Sequence, residues 1–302
     1  MTGPTPAPGR VLVTGAAGRI GRAVTRLLTE RGVAVTALSL DYPDGFTADR
    51  VLTASAMDER AVVTALEGVD AVVHLAAIPH RDLGTPHDVY VTNVTSTFTV
   101  LAHAAERGVP RAVVASSINA FGVPLNPHDV LPLYFPIDEE IPTDLADWYS
   151  LSKRSDELTA AMVARRWGMA VVAFRFPRVD TEAALHVAAR RSAERPEDAV
   201  REGWSYLDLR DAAEAVYLGL VAPLDGAVVL GLSAEDTLLA EPTADLLDRY
   251  APRVPRRSPI RGRQSLIDTR KAADVLGFTP RHSIHRATPG AFDDLRMGKT
   301  NA

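Results

Sequence analysis

An α/β architecture, a doubly wound parallel sheet with a small C-terminal substrate-binding lobe, follows from three features of the sequence. Short β-branched runs alternate with helix-spaced segments through the first 177 residues, which implies parallel crossover units. The run 71–75 (Ala-Val-Val-His-Leu) is apolar on both alternating faces, as a strand covered by helices on both sides must be. The first strand-like run, 11–14, breaks into glycines before a helical pattern begins.

The elements follow in order. Ile20, Val24, Leu27 and Leu28 recur at helical spacing, and Gly32 stops that helix. A second strand is expected over 33–38 and a short third at 51–52. A helix over 58–67 follows, with Asp58 as its N-cap. After the fourth strand at 71–75, Val91, Val94, Phe98, Leu101 and Ala105 mark the apolar stripe of a long helix, ended by Gly108 and Pro110. A fifth strand, 111–115, runs into Ser116 and Ser117; a Pro-rich loop over 124–142 leads to a helix over 144–167 and a sixth strand at 170–174. Further on, helices are expected over 181–202, 208–220 and 241–250, the last with Pro242 in its first turn. A strand is expected at 226–232, a Pro/Arg-rich loop at 252–263, and a last strand-plus-helix at 265–277. The expected organisation is a disordered N-terminus (1–9), a dinucleotide-binding domain (10–177) and a small substrate lobe (178–302) whose segment 204–232 returns to the sheet.

Composition narrows the partners. The 33 Lys and Arg against 38 Asp and Glu give a net charge of -5, which offers no bulk attraction to nucleic acid or an anionic membrane. With no cysteine, disulfides, thiolate catalysis and cysteine-ligated metal are excluded. No apolar run reaches the roughly 18 residues of a membrane span, and the Pro/Gly-rich start lacks a signal-peptide layout. The expectation is a soluble cytoplasmic protein. His282 and His285 stand three apart without a third ligand nearby, so no metal site is expected. His74 reads as a packed core histidine.

The turn at 14–21, Thr-Gly-Ala-Ala-Gly-Arg-Ile-Gly, places glycines where a dinucleotide needs them. Gly15 permits the tight turn, Gly18 lets the backbone approach a pyrophosphate, and Gly21 lets the helix pack close to the strand. The helix N-terminus carrying Arg19 and Ile20 then offers free N–H groups and a positive dipole end to phosphate. This predicts a Rossmann-type site. At the tip of the second strand stands Ser39, with Asp41 two residues on and pointing the same way. A carboxylate there binds ribose hydroxyls and disfavours a 2′-phosphate, so NAD is preferred, with NADP left open.

Tyr149 and Lys153 lie four residues apart on one helical face. An ammonium beside a phenol favours the phenolate, which can take a proton from a substrate hydroxyl while hydride leaves the carbon. Ser117, at the carboxyl end of the fifth strand, can hydrogen-bond the same substrate oxygen. Taken singly, a Tyr/Lys pair is an ordinary surface pair; in order behind a nucleotide loop and a strand-end serine it is a catalytic constellation.

The chain resembles the extended short-chain dehydrogenase/reductases, the NAD-dependent epimerase/dehydratase family, over nearly its whole length. The likeness rests on the 14–21 loop, His74-Leu75-Ala76-Ala77, Asn93, the run Ser-Ser-Ile-Asn-Ala-Phe-Gly at 116–122 and Tyr-Ser-Leu-Ser-Lys at 149–153. Phe174-Arg175-Phe176-Pro177, residues 204–211 and residues 265–278 extend it. The resemblance implies Ser117, Tyr149 and Lys153 as catalytic, with Lys153 also holding the nicotinamide ribose. It implies Leu75, Ala76 and Ala77 lining the cofactor, Asn93 as a structural or cofactor-proximal polar residue, and Phe176 and Pro177 near the nicotinamide. Ser39 and Ser55 stand where the family commonly carries Asp, with Ala56 beside the latter; both put cofactor choice in question. Ile118-Asn119 replaces the acidic pair of sugar-nucleotide dehydratases, which argues against dehydration. The compact lobe resembles uronate dehydrogenases as much as UDP-sugar epimerases.

For substrate contact the candidates are His80, Asn119, Arg178 and Arg201, the arginines as bidentate partners for carboxylate or phosphate. Each arginine could equally be a solvated surface residue, and His80 part of a solvated loop. The substrate is expected to be a sugar, uronate or nucleotide-sugar; the resemblance also implies a homodimer in which the 91–105 stripe and the helix carrying Tyr149 meet in a four-helix interface, against packing on the chain's own sheet. Three functions compete: an oxidoreductase acting between hydroxyl and carbonyl, a nucleotide-sugar epimerase that retains its cofactor, and a non-catalytic NAD(P)-sensing regulator.

Overall fold

The computed structural model describes residues 6–286. Residues 1–5 of the expected disordered start lie outside them; 6–9 form neither helix nor strand. The chain runs β1 (Arg10–Thr14), α1 (Arg19–Glu30), β2 (Ala34–Ser39), β3 (Arg50–Thr53), α2 (Glu59–Ala65), β4 (Ala71–His74), α3 (Pro86–Glu106), β5 (Arg111–Ser117), α4 (Trp148–Trp167) and β6 (Ala170–Phe176). It continues through β7 (Arg178–Asp180), α5 (Glu182–Glu194), β8 (Tyr206–Asp208), α6 (Leu209–Val221), β9 (Ala227–Gly231), α7 (Thr243–Tyr250) and α8 (Arg270–Leu276).

Seven strands form one Rossmann-type sheet in the order β3-β2-β1-β4-β5-β6-β9, every pairing parallel. Alternation along each strand divides the core. Val11, Val13, Val35, Val73 and Phe174 pack on one face with Val24 and Leu28 of α1 and Val216 of α6. Leu12, Leu38, Val72, Val114 and Val171 pack on the other with Val62 of α2, Val100 of α3 and Val163 of α4. Each such side chain contributes about 1.5–3 kcal/mol through burial. The strand order reverses between β1 and β4, which opens a crevice at their carboxyl ends.

Local chemistry sets the helix that matters most. Asp147 caps α4, accepting from the backbone N–H groups of Tyr149 and Ser150 at 3.0 and 2.9 Å, and Gly168 at φ 75° ends it. The cap starts α4 at Trp148, four residues later than the sequence pattern suggests. Asp58 caps α2 as expected.

The long helix corrects the stripe read from the sequence. In α3 the buried positions are Val89, Asn93, Ser96, Thr97, Val100, Leu101 and Ala104 among others, whereas Val91 and Val94 are half-buried and Phe98 is 52% exposed. The helix turns hydrogen-bonding residues inward, where hydrophobic spacing alone finds no signal.

Three differences lie in the second half. The segment 181–202 splits into α5 and a short 3-10 helix, Pro196–Glu202. β7 and β8 pair as a separate two-stranded parallel sheet that the sequence pattern misses. The strand expected near 265 is two isolated bridges, Asp236 to Gln264 and Ile137 to Ile267. The chain closes on its own fold through polar ties: Asp211 accepts from the N–H groups of Arg281 and His282 and meets His282 Nδ1 at 2.8 Å, and His285 Nε2 lies 2.9 Å from the Thr237 carbonyl. These histidines are engaged in closing the fold.

Candidate active site

A crevice of about 840 Å³ lies along the carboxyl edge of the sheet. One end is made of backbone. Gly15 sits at φ 66°, in the left-handed region, and its N–H donates to the Leu38 carbonyl at 2.8 Å, so the turn folds back over β2. A Cβ on Gly21 would stand 2.2 Å from the Gly15 carbonyl oxygen, so only glycine lets α1 approach this closely. No side chain caps the first turn of α1, which leaves its N–H groups for a ligand.

Most of the sequence candidates meet here. Gly15, Gly18, Arg19, Ile20, Gly21, Ser39, Asp41, Ala56, Leu75, Ala76, Ala77, Phe176 and Pro177 line the crevice, together with Ser117, Tyr149, Lys153, His80, Asn119, Arg178 and Arg201. Two do not line it. Ser55 turns its hydroxyl back to accept from the Met57 N–H at 3.1 Å, and Ala54 and Ala56 provide the wall on either side of it. Asn93 is fully buried: its Oδ1 accepts from the Ile78 N–H at 2.7 Å, and its Nδ2 donates to the Ile78 carbonyl and to Ser152 Oγ. It staples the loop after β4 to α4.

Beneath the crevice floor runs a buried polar chain. Thr14 Oγ1 accepts from the N–H groups of Leu75 and Ala76, both at 3.3 Å, and so donates to His74 Nδ1 at 2.8 Å. His74 Nε2 then donates to Thr97 Oγ1 at 3.1 Å. Burial, with Lys153 nearby, pushes His74 down to about 3, so the ring is neutral and structural. This network fixes the backbone of Leu75 and Ala76 at the switch point.

The other end carries the titratable groups. Tyr149 and Lys153, on the first two turns of α4, are 6% and 4% exposed, and the Lys153 ammonium lies 6.0 Å from the Tyr149 ring centroid. Lys153 Nζ donates to the Ala115 carbonyl at 2.9 Å and to Asp156 Oδ2 at 3.1 Å. Ser117 ends β5 and accepts from the Asn119 N–H and from Asn119 Nδ2, at 3.2 and 3.1 Å. Asn119 Oδ1, buried, has no partner among the described residues. Next to Ser117, Ser116 Oγ donates to Glu157 at 2.8 Å, and Arg175 holds the same carboxylate through two bonds at 2.8 and 3.0 Å. Burial opposes the Glu157 charge, but Arg175, helped by Ser116 and Arg154, outweighs it and keeps that pKa below the ordinary glutamate value. The pair ties α4 to β5 and β6.

Towards the lobe, the Arg201 guanidinium is already engaged, donating to the Asn126 carbonyl at 2.7 Å and facing Asp129 at 3.5 Å. Arg19 clasps the glycine turn to β7, donating to the Val179 carbonyl and pairing with Asp180, both at 3.0 Å. His80 Nδ1 accepts from the Asp82 N–H, and its ring centroid is 6.5 Å from that of Tyr149. Two charged lining residues escape the sequence reading: Asp198 and Glu202. Burial raises the Glu202 pKa, with the Arg178 charge opposing it. Only the 3-10 turn and the left-handed Gly203 and Trp204 beyond it bring Glu202 to the crevice, and no sequence motif announces that geometry.

A doubly wound sheet with a glycine turn at its switch point and a Ser/Tyr/Lys group across the same crevice defines a nucleotide-dependent α/β enzyme class. The model of the NAD dependent epimerase/dehydratase family matches residues 11–223. The chain therefore belongs to that family, whose name carries NAD as its cofactor. Among curated proteins it is similar to a uronate dehydrogenase of Pseudomonas putida, 30% identical over 173 residues, 55% of this chain and 59% of that protein. It is also similar to a UDP-glucose 4-epimerase of Corynebacterium glutamicum, 28% identical over 173 residues, 55% of this chain and 50% of that protein. The matched segment thus spans between half and three-fifths of these relatives. Among solved structures, a short-chain dehydrogenase/reductase superfamily protein of Agrobacterium tumefaciens with bound NAD shares the fold, with a TM-score of 0.68 and 24% identity over 92% of this chain and 94% of that one.

The crevice suits that cofactor on its own evidence: a backbone-lined glycine turn under an uncapped helix, small residues at Ala54, Ala56 and Ala76, and the unpartnered Asn119 Oδ1 at the far end. Among the described residues no helix is long and apolar enough to cross a membrane, and no cluster of three or more potential metal ligands occurs.

Proposed function

We propose that this protein is an NAD-dependent oxidoreductase that interconverts a hydroxyl and a carbonyl on a sugar or sugar-like substrate, with Ser117, Tyr149 and Lys153 as its catalytic residues. One observation carries the reading: a strand-end serine and a helical Tyr/Lys pair share a single crevice with the glycine turn. The bound cofactor supplies the hydride acceptor or donor. Ser117 Oγ, held by two Asn119 N–H donors, keeps its own proton free to hydrogen-bond the substrate oxygen. Tyr149 takes the proton from that oxygen, or returns it in the reverse direction. Lys153 sets its positive charge beside Tyr149 and would hold the nicotinamide ribose. Gly15, Gly18 and the first turn of α1 take the pyrophosphate, and Asp41 the adenosine ribose.

Uronates and aldoses are the substrates favoured, in line with similarity to a uronate dehydrogenase. The similarity to a UDP-glucose 4-epimerase favours a second reading, sugar inversion with retained cofactor. We also propose a homodimer joined through α3 and α4, supported by the exposed Phe98, Leu151 and Leu158 on those helices. A screen of aldoses, uronates and UDP-sugars with NAD and with NADP, followed at the reduced-nicotinamide absorbance band, tests the function. NADH accumulation is expected. Inversion without it makes the protein an epimerase, and full biological activity in Tyr149→Phe makes it a cofactor sensor.

A further inference from the structure

The ammonium of Lys153 is buried against a second carboxylate that neither the fold nor the glycine turn requires. Asp156 lies one turn further along α4, its side chain 1% exposed, with Oδ2 3.1 Å from Lys153 Nζ. Across the ammonium, the Ala115 carbonyl on β5 accepts at 2.9 Å. An ammonium has three N–H donors; these two bonds use two of them, and Lys153 still lines the crevice. The Thr97 hydroxyl, from α3, also hydrogen-bonds the Asp156 carboxylate.

We propose that Asp156 is a positioning residue: with the Ala115 carbonyl it clamps the Lys153 ammonium at the carboxyl end of β5, leaving one N–H directed to the crevice. The proposal rests on the assignment of Lys153 to the cofactor-facing site and adds the group that keeps it charged and aimed there. The charged and polar groups around the pair come from every neighbouring element. Tyr149 and Glu157 share α4, Thr97 approaches from α3, His74 from β4, and Arg175 of β6 is engaged by Glu157. His74 is neutral over the working range and Glu157 is matched by Arg175, so Asp156 is the carboxylate that answers Lys153. Burial works against the ammonium; Asp156 first, then Tyr149 and Glu157, reverse this, and the lysine lies above its ordinary value. Burial likewise raises Asp156, with the Lys153 charge as the main opposing influence.

With Asp156 present, Lys153 stays protonated through the alkaline range, and NAD affinity is flat with pH. In Asp156→Asn the shape is kept and the charge removed, so burial prevails and the ammonium loses its proton at lower pH. NAD affinity, measured by calorimetric titration between pH 7 and 10, is then expected to weaken about tenfold or more as pH rises, while the wild type holds. Asp156→Thr, which keeps an acceptor without charge, provides the same comparison should the first variant not fold. A variant that is less stable but keeps the flat wild-type affinity profile reduces Asp156 to a structural role and overturns the proposal. A wild type whose affinity falls in parallel with the variant overturns it as well. Wild-type protein that fails to bind NAD at any pH strikes instead at the dinucleotide reading itself.

Discussion

The two ends of the crevice are built by different means. The end proposed to take the nucleotide is backbone: a glycine turn, a helix N-terminus and the ends of β1, β2 and β4, all from the first 77 residues. The end proposed to take the substrate is side chains gathered from distant stretches: His80, Asn119, Tyr149, Lys153, Arg178 and Glu202. A backbone-built site tolerates no change in close approach but is indifferent to most side chains. A side-chain-built site rests on a few buried charges whose partners hold them in place.

The sharpest way to break this contrast is Lys153→Ala, which removes a proposed catalytic group and leaves Asp156 buried and unpaired. Turnover and NAD binding are both expected to be lost, with a stability cost of about 3–5 kcal/mol by denaturant titration. Unchanged kinetics would move Lys153 out of the mechanism. Gly21→Ala tests the other end: its Cβ would collide with the Gly15 carbonyl at 2.2 Å and with Ala16 Cα at 2.8 Å, all backbone. A loss of about 1–3 kcal/mol, together with weaker NAD binding, is expected from thermal melts and titration.

His74 joins the two ends and gives a pH signature. Its pKa is lowered in the folded protein to about 3, so the unfolded chain binds the proton first as pH falls. Its contribution is present above the ordinary histidine range and declines as pH drops from about 6.5 towards 3, at up to roughly 1.4 kcal/mol per unit. Stability curves of the wild type against His74→Asn over that window should diverge in slope; parallel curves would mean the ring takes up a proton without unfolding. The smallest effect is expected at Arg201→Ala. Its partners are a loop carbonyl and the fully exposed Asp129, so stability should change by less than about 1 kcal/mol. A KM rising more than tenfold for a uronate alone would show that Arg201 swings onto the substrate.

The same division explains what could be read early. The glycine turn, the Tyr149/Lys153 pair and Ser117 are legible because each depends on a local rule: a turn that admits only glycine, a helical repeat, a strand end. Asn93 and Thr97 escape a hydrophobic-stripe reading because α3 turns them inward for hydrogen bonds to the β4 loop, α4 and His74. Ser55 lies beside two residues that do line the crevice and yet faces its own turn, a choice of side-chain direction that no spacing encodes.

The order of elements, the sheet's strand-helix alternation and the conformation of the glycine turn were determined by the chain itself, since each follows from interactions within a few residues. The pairing of β7 with β8, the arrival of Glu202 in the crevice and the enclosure of Lys153 between Asp156 and Ala115 were decided only by tertiary packing. Parallel pairing, a left-handed turn and the direction of a buried charge depend on partners that packing, not sequence proximity, brings within reach.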